Sequence, residues 1–168
     1  MPRKLAYRNL PQLFLKAREE LLCHFRPIIS HFGLTEQQWR VLRTLSEMEP
    51  LEPREISKLC HILNPSLSGV LSRMEEMGLV TRTRIPEDER RVIVRLTPKS
   101  EQLVAELGPL IVAQYKNIEE AFGPVLIQQL YEMMDQVISA KRGPIPRVTL
   151  PAKKDWTRID NPPDKPKT

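Results

Sequence analysis

The chain has 168 residues, 40% apolar and 28% charged, which suits one domain with a hydrophobic core rather than a disordered polymer. No apolar run approaches the roughly 18 residues needed to cross a bilayer, and no leader-like segment follows Met1. Cys23 and Cys60 make neither a disulfide scaffold nor a zinc site of adjacent pairs, so a cytoplasmic protein with no membrane partner, metal or cofactor is expected.

Residues 10–31 carry Leu10, Leu13, Phe14, Ala17, Leu21, Phe25, Ile28 and Ile29 at helical spacing, and Gly33 ends them. Thr35 with Gln38 three residues on is a capping-box pattern that opens a second helix. Its apolar face is Trp39, Leu42 and Leu45, and Pro50 closes it. Pro53 suits the first turn of a short third helix burying Ile56 and Leu59. Asn64-Pro65 reads as a cap followed by proline at the first helical position, opening a fourth helix that ends at Gly78.

The period then switches from 3.6 to 2. Residues 79–84 and 91–96 read as two short strands joined by a polar tip, Ile85 to Arg90. Thr97-Pro98 caps a long helix carrying Leu103, Leu107, Leu110, Ile111, Ile118 and Phe122, and Gly123-Pro124 separates it from a last helix with Val125, Leu130, Met134, Val137 and Ile138. Residues 141–168 hold eight Lys/Arg against three Asp, which is the whole of the net +5, together with six of the sixteen prolines. They read as a flexible basic appendage to a neutral body.

This order predicts a mainly α fold with a small β-hairpin: a winged helix-turn-helix over 34–97, flanked by dimerisation helices over 1–33 and 98–140. The terminal helices carry more apolar surface than a small winged unit covers, so a homodimer is expected.

On the fourth helix, Leu67, Val70, Leu71 and Met74 form a buried stripe. The other face shows Ser66, Ser68, Gly69, Ser72 and Arg73, small enough to sit deep in a major groove. A plain solvated face would read the same way by itself. The hairpin holds Arg82, Arg84, Arg90, Arg91 and Arg95, and an arginine at its tip suits a narrow minor groove. Asp88 can hold Arg90 extended through a bidentate pair. Edge-protecting charges are the alternative.

These residues carry a resemblance. Residues 34–97 resemble the MarR family of transcriptional regulators, whose wing signature is matched by Asp88-Glu89-Arg90 and Leu96-Thr97-Pro98-Lys99, with Ser100 or Glu101 where a glycine is usual. Ala17-Arg18-Glu19, Phe25-Arg26-Pro27, Leu34 to Arg40 and Ile62 to Gly69 look like the subgroup that represses homoprotocatechuate degradation. The likeness covers roughly residues 10–140. It implies a repressor of aromatic-acid catabolism genes, bound as a two-fold dimer to palindromic duplex DNA and released by a small aromatic carboxylic acid. By the same resemblance the wing arginine falls on Arg90, its partner on Asp88, and the recognition-helix positions on Ser66, Ser68, Ser72 and Arg73. The basic tail has no counterpart in that pattern.

For such an acid, Arg18 sits at the edge of the first apolar stripe, where it must snorkel, pair with an acid such as the partner's Glu19 or Glu20, or await a carboxylate. His24 can bond a ring hydroxyl or simply pack. Trp39 reads as core, although it would serve as an aromatic wall. Arg40 shares with Glu36, Arg43 and Glu47 a face that spacing marks as solvated and ion-paired, and only the subgroup motif makes it a candidate.

An enzyme is not expected, because His24, His31 and His61 have no partner at nucleophile or metal-ligand spacing. Two alternatives stay open: a thiol redox sensor using Cys23 near Arg18 and Arg26, and a winged helix that binds only protein.

Overall fold

The computed structural model describes residues 7–85, 88–140 and 143–153, without the side chains of Glu89 and Arg90. In chain order it has α1 (Leu10–Leu22), α2 (Arg26–His31), α3 (Glu36–Met48), α4 (Pro53–Cys60), α5 (Asn64–Glu76), β1 (Val80–Ile85), β2 (Asp88–Leu96), α6 (Pro98–Phe122) and α7 (Pro124–Ser139). The chain divides into two units, Met1–Gln128 and Gln129–Thr168.

The expected first helix is two helices. Pro27 offers no N–H to the Cys23 carbonyl and its ring would collide with it, so α1 stops at Leu22 and α2 restarts with Pro27 in its first turn. α3 begins as its sequence predicts: Thr35 Oγ1 accepts from the Gln38 N–H at 3.2 Å, and Gln38 Oε1 accepts from the Thr35 N–H at 2.8 Å. That fold-back buries Gln38 beside Val41, Leu42 and Leu45, whereas Trp39 is only half-buried.

In α4, Ile56 and Cys60 are buried and Leu59 is 44% exposed, against expectation. Ile56 and Cys60 lie four apart on one face, and the helix ends before Leu59 finds a neighbour. His61, in the left-handed region at φ 49°, turns the chain toward α5. Asn64 is the first residue of α5 rather than its cap: Leu63 takes the cap position and no side chain bonds there. Leu67, Val70, Leu71 and Met74 are all at most 2% exposed, as their spacing requires. Gly78, at φ +67°, ends that helix and leads into the hairpin.

β1 and β2 pair antiparallel from Val80↔Leu96 to Arg84↔Val92, and then the register shifts to Ile85↔Asp88. The strands therefore run further than expected, and Asp88, Glu89 and Arg90 belong to β2 rather than to the tip. Leu51 adds a bridge to Val94, whose N–H donates to the Leu51 carbonyl at 2.8 Å.

Ser100, where the wing signature departs from glycine, closes a second capping box. Its hydroxyl accepts from the Thr97 N–H at 3.0 Å and is fully buried. α6 then continues through Pro109, a residue the periodicity does not register, and buries Leu107, Ile111 and Ile118 while Leu110 and Phe122 stay exposed. One apolar cluster gathers residues from α2 through α6 and both strands. α1 and α7 bury no residue. No described helix is long and apolar enough to cross a membrane. Residues 143–153 form neither helix nor strand, and the rest of the basic tail, with Trp156, falls outside the described residues.

Candidate nucleic-acid interface and adjoining cleft

Because α5 commits one face to the core, its other face is what the lobe presents. Ser66, Ser68 and Arg73 are exposed there and Ser72 is half-exposed. The Ser68 hydroxyl donates to the Asn64 carbonyl at 3.2 Å, which leaves its lone pairs outward. Arg73 lies back along its own helix, with Nη1 3.7 Å from where a Cβ on Gly69 would sit.

The wing's arginines divide by partner. Arg82 Nε donates to Glu75 Oε2 at 2.8 Å, tying β1 to the end of α5. The Arg82 guanidinium, chiefly through its hydrogen bond, holds the Glu75 carboxyl below its ordinary value, with desolvation opposing it. Arg91 Nε donates to Glu52 Oε1 at 2.7 Å, tying β2 to the start of α4. Arg91 was expected beside the tip as a DNA contact, yet here it braces the lobe. Arg84 and Arg95 are exposed on the strands. The side chain of Arg90 is outside the described residues, so its expected pair with Asp88 is too.

A cleft of about 230 Å³ opens among α1, α2, α3 and α6. It brings together Arg18, Trp39 and Arg40, three of the four residues proposed from the sequence for a planar acid. His24 does not join them: it is exposed in the break between α1 and α2, which turns it away from the α1 face. Among the other lining residues, Phe25, Glu36, Arg43 and Tyr115 were not anticipated as site residues. The Phe25 and Tyr115 rings pack with centroids 4.7 Å apart. Glu36, Trp39, Arg40 and Arg43 recur at helical spacing along α3, the pattern of a single face. That face was read as solvated, and it lines the cleft because α1 and α6 cover part of it.

Charge in the cleft is paired but not neutralised. Glu36 takes an ion pair from Arg18 and accepts from Arg40 Nη2 at 2.7 Å, so within one chain Arg18 finds an acid across the fold. Arg40 Nη1 also donates to the Cys60 carbonyl at 2.7 Å. Arg43 Nε donates to Glu47 Oε1 at 3.0 Å, and Glu47, with Tyr115 after it, raises the pKa of that guanidinium. A planar acid entering here would meet rings on its faces and guanidinium groups at its edge.

The thiols are placed differently from what the redox alternative needs. Cys60 is buried against Thr44, and burial pushes its thiol pKa up. Cys23 is exposed, but Arg18 is engaged by Glu36 and Arg26 by Glu19, at 2.7 Å for Nη2 to Oε2. Among the described residues no group of His, Cys, Asp or Glu is placed to hold a metal ion.

Comparison with known proteins bears on the fold and the family. The MarR family model matches residues 34–92. The HTH-type transcriptional regulator FarR of Neisseria gonorrhoeae is 38% identical over 123 residues, 73% of this chain and 84% of that one. The homoprotocatechuate degradative operon repressor of Escherichia coli is 37% identical over 131 residues, 78% and 88% of the two chains. The crystal structure of NadR in complex with 4-hydroxyphenylacetate superposes with a TM-score of 0.70 at 34% identity, covering 84% of this chain and 100% of that one. The repressor CouR bound to a 23-mer DNA duplex superposes with a TM-score of 0.71 at 26% identity, covering 77% and 92%.

Proposed function

The chain belongs to the MarR family, as a winged-helix transcriptional repressor and not an enzyme, and on that premise we propose that it acts as a homodimer on a palindromic operator and is released by a small aromatic carboxylate. In this reading α5 enters the major groove with Ser66, Ser68, Ser72 and Arg73, and the wing carries Asp88 and Arg90 toward the minor groove. The regulated genes are those of aromatic-acid breakdown, the role named for the Escherichia coli relative.

The observation that carries the effector is the meeting of Arg18, Arg40 and Arg43 with Trp39, Phe25 and Tyr115 in one cleft. A bound anion gains charge-assisted bonds there, and the rings take up its apolar faces. The cleft joins α1 and α6 to α3 of the DNA-reading lobe, so a ligand that prefers one setting of these helices shifts the spacing of the two recognition helices. A tenfold preference at each of two sites weakens operator binding about a hundredfold.

The test is calorimetry with hydroxylated phenylacetates, benzoates and pyridine carboxylates on the parent chain and on Arg18→Ala. One of these acids binds the parent, and Arg18→Ala weakens it by about tenfold or more. Unchanged binding to Arg18→Ala removes Arg18 from the site. No binding by any of them, with operator release by peroxide that Cys23→Ser abolishes, replaces the effector with thiol chemistry.

A further inference from the structure

We propose that Arg40 is a positioning residue that couples the cleft to the turn before the recognition helix, an inference that rests on the effector reading for its trigger but not for its geometry. One nitrogen of its guanidinium holds Glu36 in the cleft and the other holds the carbonyl of Cys60, both at 2.7 Å. Cys60 is the last residue of α4, so that carbonyl lies at the negative end of the helix, where a cation is favoured.

The turn that follows is otherwise tied by its own chain and the core: the His61 N–H donates to the Lys58 carbonyl at 3.4 Å, Ile62 is buried, and the Cys60 thiol sits against Thr44. His61 takes a left-handed conformation, the Ile62 N–H donates to the Ser57 carbonyl at 3.1 Å, and the Ser57 hydroxyl donates to the Ile62 carbonyl at 2.7 Å. α5 begins two residues later. The fork of a guanidinium serves the two acceptors from separate nitrogens held apart in one plane, whereas the donors of a lysine all sit on one nitrogen that would have to reach both. Glu36 is also claimed by Arg18 from α1. An incoming carboxylate that takes Arg18 or Arg40 competes with Glu36, frees the guanidinium to turn into the cleft, and withdraws its hold on Cys60. The operator-bound setting of α5 is the one in which Glu36, Arg40 and the Cys60 carbonyl form an unbroken chain.

A double-mutant cycle tests this on operator affinity alone, with a labelled duplex selected by the full chain from a random library. Glu36→Gln imitates the displaced carboxylate and weakens operator binding about tenfold in the parent, but less than about twofold in the Arg40→Lys background. Backbone amide resonances of His61 and Ile62 move with Glu36→Gln in the parent and stay in place in Arg40→Lys. An equal loss in both backgrounds, or no loss in either, overturns the coupling. In a second arm 4-hydroxyphenylacetate and the other aromatic acids are titrated into the parent. Binding with an additive cycle overturns the role of Arg40 and keeps the effector. A coupled cycle with no binding overturns the effector and keeps Arg40.

Discussion

From α3 to β2 the core-facing apolar positions close within a single chain: Leu42, Leu45, Ile56, Leu67, Leu71, Met74 and Val94 are all at most 2% exposed. α1 and α7 have stripes of the same kind and bury nothing, with Ile138 82% exposed and Leu15 61%. The contrast separates two tasks. The lobe closes its core in one copy, whereas the terminal helices leave apolar faces of the kind that the proposed homodimer would cover.

The sharpest way to break this contrast is to damage each side in turn. Leu71→Ala should cost about 3 kcal/mol in chemical denaturation, the size of a cavity beneath the recognition helix. Ile138→Asp should leave the lobe folded by circular dichroism but give a monomer by light scattering, with operator binding about a hundredfold weaker as one half-site is lost. The parent's unfolding midpoint should rise with protein concentration, and that of Ile138→Asp should not. A concentration-independent parent would leave the exposed stripes without a role.

Within the lobe, the bracing arginines differ from the one expected to reach DNA. Arg90→Ala should cost about 2 kcal/mol of operator affinity in an electrophoretic shift assay. Removing residues 143–168 should flatten the salt dependence and leave sequence preference intact, since lysines and arginines there can add only a non-specific, salt-dependent term if they reach phosphates. A preference altered by that truncation would draw the tail into base reading.

The smallest effect concerns acid. Arg82 lowers the Glu75 carboxyl below its ordinary 4.5. Its contribution to stability is therefore full above that pH and fades as pH falls through the lowered folded value. Glu75→Gln should flatten the acid limb of a pH–stability curve slightly, without moving the neutral plateau.

What the sequence made legible follows from what acts locally. The capping box at Thr35, the cap at Thr97, the α5 stripe and the alternation in the hairpin depend on neighbours within a few residues, and all of them formed. Pro27 and Pro109 show the limit. Both interrupt an apolar period, yet one splits a helix and the other does not, and tertiary packing decides which. The cleft was half legible. Arg18 and Trp39 stood out as charge and ring near apolar stripes. Arg43, Tyr115 and Glu36 did not, because only the approach of α6 and α1 to α3 turns a charged helix face into a wall. His24 failed for the same reason in reverse, since the break after Leu22 turned it outward.

The central claim is that the two regions communicate through an aromatic acid. Its most direct test follows fluorescence anisotropy of a labelled operator duplex held by the full chain while 4-hydroxyphenylacetate and related acids are added. At least one acid is expected to release the duplex with operator affinity reduced about a hundredfold, and Arg18→Ala to need about tenfold or more acid for the same release. Operator affinity that stays constant in every saturating acid would contradict it.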